Sequence, residues 1–270
     1  RVLDSWTLIP TGSLSSKESS IKLTERNILG FGHLISGNIK NRFDTKERAV
    51  YAQYSINNIK NTYIRLDLDY ANDYNNDSKR SININRPFYS VITKNAGGAF
   101  FENRLRTEQF PGLDTISLQN VSYDFQEYWY GRAFKINPKS NPERYFNNMV
   151  LALTYNQKVF GQMPAAVLDP TSYFSNEKNW IGMIGFSKQK FYQDKFVFNY
   201  NITEDIPYGE NIALIVGHQE KNSNSRLYTG LSVSFGRKYS FGYASGFAEW
   251  GSFYDAGFTE QTTFKMGFNY

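Results

Sequence analysis

KLTERNILGFGH, residues 22–33, is the stretch from which the rest of the chain can be read. It predicts a strand, a tight turn over Leu29-Gly30-Phe31-Gly32, and a second strand running back through LISGNIKNRF. Glu25, Arg26 and Asn27 stand just before the turn, while Gly30 and Gly32 supply the backbone freedom a tight turn uses. Alone this is an ordinary hairpin signal. Its weight comes from the remainder of the chain, where a dozen or more further segments repeat the two-residue alternation with almost no helical periodicity.

The clearest of these segments lies beyond the turn residues Asn57-Asn58 and Lys60-Asn61. Ile64, Leu66, Leu68 and Tyr70 face one way; Tyr63, Arg65, Asp67 and Asp69 face the other. Three consecutive positions carrying Arg, Asp and Asp do not fit a dry core, because desolvating them costs too much. They face either bulk water or a wet barrel lumen, and periodicity alone does not separate the two. With Glu102, Arg104 and Arg106 from a second charged segment they are expected to form a charge network. At the far end, Phe264, Met266, Phe268 and Tyr270 alternate with Thr263, Lys265, Gly267 and Asn269. The two apolar sets, Ile64 to Tyr70 and Phe264 to Tyr270, are expected to face lipid.

Other expected strands are Trp6–Ser13, Val50–Ile56, Ser81–Asn85, Val121–Ala133, Trp180–Phe186, Phe196–Asn201, Asn211–His218, Leu227–Gly236, Phe241–Phe253 and Thr262–Tyr270. SLSSKESS (13–20) and Asn72–Lys79 read as polar turns, and Gly161–Asn179, with Pro164 and Pro170, as the longest irregular section. Aromatic residues make up 17% of the 270 residues, with 20 Tyr and 22 Phe, which suits strands better than helices. The absence of Cys excludes disulfides and thiolate metal sites. A net charge of +5 spread along the chain gives no basic stripe, and nucleic acid is not an expected partner. The mean hydropathy of −0.53 would suggest a soluble protein, yet barrel strands hide an apolar face behind every second residue.

Roughly fourteen or fifteen strands, each of about nine to eleven residues, match a transmembrane barrel better than a soluble sheet. The expected fold is an all-β, antiparallel, up-and-down transmembrane β-barrel of about 14–16 strands over residues 1–270; a large soluble β-domain is the alternative.

LTERNILGFGH resembles the second and third barrel strands of the BamA/TamA-type outer-membrane assembly-factor family, also called the bacterial surface-antigen family. The match rests on Glu25, Arg26, Asn27, Leu29, Gly30 and Gly32. WTLIPTG (6–12) looks like that family's first barrel strand, and TEDIPYG (203–209) like a segment of its Bacteroidota-type members. Within residues 1–270 the family's sixth-loop Arg-Gly-Phe/Tyr motif does not occur and no periplasmic POTRA repeat is read. The resemblance therefore implies a barrel portion that lacks the last few of sixteen strands. It places the chain in a Gram-negative outer membrane, with outer-membrane lipids, client barrel proteins or barrel-associated subunits as partners. It also places Trp6, Pro10 and Gly12 on a seam strand whose edge can recruit an incoming strand. The work expected is insertion or translocation of proteins, or of lipids. A passive channel or structural barrel, and the translocator barrel of a fused enzyme, are the alternatives.

Catalysis is not expected. The two histidines, His33 and His218, read as lone strand residues. Asp67, Asp69 and Glu102 read as wall carboxylates paired with arginines, not as an acid–base pair, and no phosphate loop or nucleophile elbow is present. No metal or cofactor is expected.

Overall fold

The alternation is satisfied, in the computed structural model, by fourteen antiparallel strands among the described residues, hydrogen-bonded to one another in sequence order. Residues 8–90, 92–111, 116–136, 146–195, 203–240 and 242–270 are described. The strands are β1 (Leu8–Leu14), β2 (Glu18–Glu25), β3 (His33–Arg42), β4 (Arg48–Ile56), β5 (Arg65–Asn72), β6 (Ser78–Arg86) and β7 (Asn95–Pro111). They continue with β8 (Ile116–Lys135), β9 (Phe146–Gln162), β10 (Glu177–Lys195), β11 (Thr203–Lys221), β12 (Asn224–Tyr239), β13 (Gly242–Asp255) and β14 (Phe258–Asn269). β1 and β14 are the terminal strands of the order. The fold is thus an all-β, up-and-down antiparallel sheet, and no helix among the described residues is long and apolar enough to cross a membrane.

Several boundaries differ from the sequence reading. Strands β7 to β13 run for 14–20 residues rather than nine to eleven. A ladder propagates through backbone hydrogen bonds and does not need apolar alternation, so strands continue past the point where the pattern fades. The Asn72–Lys79 turn shrinks to residues 73–77, because Asn72 and Ser78 already pair. The irregular section shrinks to residues 163–176. Trp6 and the expected strand Phe196–Asn201 lie outside the described residues.

The turn between β2 and β3 is held by side chains. Asn27 N donates to Glu25 Oε1 at 2.9 Å, and Gly32 N donates to Asn27 Oδ1 at 2.6 Å. Leu29, Gly30 and Gly32 take φ of 50°, 79° and 69°. The same turn recurs at a spacing of 31 residues, from Asn27 to Asn58. There Tyr63 N donates to Asn58 Oδ1 at 2.8 Å, and Lys60, Asn61 and Tyr63 take φ of 47°, 61° and 60°. The register is repeated too: Glu25 opposes Ile35 at the mouth of the first hairpin, and Ile56 opposes Leu66 at the mouth of the second.

The chain divides into two units, one of residues 1–87, 97–128 and 156–177, the other of residues 88–96, 129–155 and 178–270. In the first, register aligns Ile35, Tyr54, Leu68, Ile82 and Phe101 in one row across β3 to β7. The adjacent row, on the opposite face, is Ser36, Gln53, Asp69, Ser81 and Glu102. Side-chain burial runs against the soluble pattern: Ser36, Ser55, Asp67 and Ser81 are buried, while Ile21, Leu23, Ile35, Ile82, Ile84 and Phe101 are exposed. In the second unit, Leu214, Leu231, Trp250 and Phe264 form an apolar row across β11 to β14, and all four are exposed. On the other face, Tyr228 lies across Gly230 and Gly251; a Cβ on Gly251 would fall 3.0 Å from Tyr228 Cζ and closer still to its hydroxyl. Glycine at 251 is therefore needed for the ring to lie flat on the sheet.

Candidate functional site

The polar face of the first unit gathers the charged residues that the alternation sets apart. Asp67 is its hub, 7% exposed in the middle of β5. Register puts Ser55 of β4 on one side of it and Asn83 of β6 on the other. Ser55 Oγ donates to Asp67 at 2.6 Å, Arg65 Nε at 2.7 Å, and Asn83 Nδ2 at 3.4 Å. Asp69 accepts from Ser81 Oγ at 3.4 Å. In the same row as Asp69 and Ser81, Glu102 of β7 accepts from the Tyr123 hydroxyl of β8 at 2.9 Å and meets Lys79 Nζ of β6 at 3.4 Å. Lys158 Nζ of β9 lies 5.1 Å from the centre of the Tyr123 ring. Neighbouring strands add Ser20 to Asn38 at 3.0 Å and Thr24 to Ser36 at 3.0 Å. Asp67, Asp69 and Glu102 thus each have a partner of opposite charge or a donor, as a wetted polar wall requires.

The charge network expected from the sequence is present in place but differently connected. Arg65 pairs with Asp67. Glu102 pairs with Lys79 and Tyr123 rather than with an arginine, because β6 brings Lys79 opposite Arg104, next to Glu102. Arg106 Nε approaches Glu108 Oε1 to 2.5 Å without pointing at it, and the buried Arg104 Nε has no hydrogen-bond partner. Lys79, Ser55 and Tyr123 escaped the sequence reading because cross-strand partners follow from register, which alternation does not encode.

The long loop, residues 163–176, closes over one end of this face. Phe174 packs edge-on against Phe110 of β7 at 5.7 Å and Phe160 of β9 at 6.1 Å, and Phe160 touches Tyr123 at 5.7 Å. Asp169 holds the loop by accepting from Tyr173 N and Phe174 N at 2.8 and 2.9 Å. Asn176 Oδ1 accepts from Phe160 N at 2.7 Å.

Of the residues expected to face lipid, Leu66, Leu68 and Tyr70 share one face of β5, with Ile64 just before the strand; its carbonyl accepts from Ile59 N. Phe264, Met266 and Phe268 share one face of β14 and are exposed, as are most residues on its other face, and Tyr270, just beyond it, lies against Gly242. Pro10 and Gly12 lie in β1, opposite Leu23 and Ile21 of β2. In the motif turn, Asn27 is the clamp, Glu25 braces it, and Leu29, Gly30 and Gly32 supply the left-handed residues; Arg26 stands in the turn beside them.

His33 Nδ1 shares a 2.7 Å hydrogen bond with the Tyr54 hydroxyl, and His218 stands 3.8 Å from Glu220. Among the described residues no three His, Asp or Glu side chains converge in a way that could hold a metal ion. The chain matches no family model, no curated protein and no solved structure.

Proposed function

We propose that the chain is a transmembrane β-barrel domain of a bacterial outer membrane, related to the BamA/TamA-type assembly factors, which assists insertion or translocation of proteins, or of lipids. One observation carries the membrane reading. Leu214, Leu231, Trp250 and Phe264 of the second unit and Ile35, Ile82 and Phe101 of the first are exposed, with Tyr54 and Leu68 half-buried between them, while Ser36, Ser55, Asp67 and Ser81 are buried on the opposite face of the first. A soluble sheet gains its stability by the reverse arrangement. Lipid supplies the missing apolar environment for the exposed rows, and a wet interior supplies water for the polar one.

The assembly role rests on the terminal strand. Among the described residues β1 is seven residues long, stands at the end of the strand order beside β2, and carries Pro10, which has no N–H to donate. Such an edge can template an incoming strand by β-augmentation. The polar wall favours a second reading, a passive channel, since a ladder of paired charges also suits a water-filled pore.

Two experiments test these readings. Folded barrels resist detergent until heated, so boiled and unboiled samples should run differently on a detergent gel; identical bands would defeat the membrane reading. Depleting the protein in its native host should lower the levels of other outer-membrane barrels. An unchanged outer-membrane profile would leave the channel and remove the assembly role.

A further inference from the structure

We propose that the second unit carries a seat for one anionic phospholipid on its exposed apolar face, with Arg132 as the phosphate contact. The inference rests on the membrane reading above. A groove of about 470 Å³ crosses β8 to β11 on that face. Gly182 makes it: a Cβ there would meet Leu153 Cδ2 at 3.7 Å and the Val216 carbonyl at 3.8 Å, so the row Leu153–Gly182–Val216 lacks its middle side chain. Leu151, Ile184 and Leu214 form the neighbouring row, nearer the end of β8. Ile136 N donates to the Asn147 carbonyl, and a Cβ on Gly131 would meet Ala152, so Arg132 stands across from Leu151 on the β8 side of the groove, between Tyr130 and Phe134.

Arg132 is exposed, three residues before the end of β8, with its guanidinium 5.3 Å from the centre of the Phe134 ring. The groove therefore has a cation toward the strand end and an apolar floor toward the middle of the sheet. A membrane phospholipid has the same polarity along its length, an anionic head at the interface and an acyl chain pointing inward. Guanidinium binds phosphate through two parallel N–H donors and remains charged at any biological pH, so the charge is complementary. A single guanidinium matches the single phosphate of a phosphatidylglycerol-type lipid.

Trp180, on the same strand as Gly182, and Trp250 are both exposed on the apolar faces of their strands and report on lipid contact. The protein is reconstituted into phosphatidylcholine vesicles, brominated or plain, and tryptophan quenching by the brominated lipid is measured. Brominated phosphatidylglycerol is then titrated into plain phosphatidylcholine to give a relative binding constant. The wild type should prefer phosphatidylglycerol by about fivefold, the effect expected of one basic residue at a membrane surface. Arg132→Gln should bring the ratio close to one. Gly182→Leu, which fills the groove but keeps the arginine, should lower it as well.

Quenching by both lipids without a preference would overturn the seat and leave the membrane reading intact. No quenching by either would overturn both. A preference that persists in both variants, or one shown for lipid A but not for phosphatidylglycerol, would also overturn the proposal.

Discussion

A charge placed on the exposed apolar row distinguishes a lipid-facing surface from a water-facing one. Leu231 is mid-strand in β12, opposite Leu214 and Trp250, and 39% exposed. In water, an arginine at such a position changes stability by no more than about 0.5 kcal/mol, since the guanidinium simply stays solvated. At the midplane of a bilayer the same change costs about 2–4 kcal/mol, roughly a 30- to 900-fold loss in the folding equilibrium. Ser232, the next residue, points the other way and pairs with Ala213 and Glu249. Ser232→Arg should therefore be close to neutral, with Glu249 available as a partner. The assay is equilibrium unfolding by guanidinium chloride of protein folded into phospholipid vesicles, followed by tryptophan fluorescence and fitted with a common m-value. Leu231→Arg should shift the midpoint strongly and Ser232→Arg hardly at all. Equal midpoints for the two variants would refute the assignment of faces, and with it the membrane reading.

Asn27→Ala and Asn58→Ala each remove a clamp that satisfies one backbone N–H, and each should cost about 1 kcal/mol in the same unfolding assay, by similar amounts because the turns are alike. Gly251→Ala should cost about 1–3 kcal/mol through collision with the Tyr228 ring, and combining it with Tyr228→Ala should recover part of that loss, a coupling that a double-mutant cycle measures. Glu47, in the turn between β3 and β4, accepts from the Thr45 hydroxyl at 2.7 Å and from Asn75 N at 3.3 Å, and these contacts, with Arg42, hold its carboxyl below the ordinary range. Its bonding is thus complete above the ordinary carboxylate value and is lost as pH falls through the depressed one. The protection factor of the Asn75 amide against hydrogen exchange should fall across that acid range, and Glu47→Gln should abolish the pH dependence.

The alternation made the strands and their two faces legible, most plainly from Ile64 to Tyr70 and from Phe264 to Tyr270, because a period of two is written directly in residue type. Which face is crowded could not be read, since polar-in and polar-out sheets give the same string. The burial of Ser55 and Asp67 beside the exposure of Ile82 and Phe101 separates them. Partnerships were hidden for a related reason. Glu102 was expected beside an arginine, and only the pairing of Ser81 with Glu102 and of Lys79 with Arg104 brings Lys79 within reach. The turn at Asn57-Asn58 and Lys60-Asn61 was legible, but its likeness to the first was not, because Asn61 and Tyr63 do in a left-handed conformation what Gly30 and Gly32 do there.

That pair of turns bears on how such a sheet could have grown. Two hairpins with the same asparagine clamp, the same left-handed positions and the same register at a fixed offset behave as copies of one building unit. Copying such a unit adds two strands at a time without disturbing those already present, since among the described residues the strands bond to their neighbours in sequence order. The six residues from Asn27 to Gly32 and the six from Asn58 to Tyr63 should then be exchangeable cassettes. A chain carrying the first cassette in both places would trade three strained side-chain-bearing residues for a leucine and two glycines.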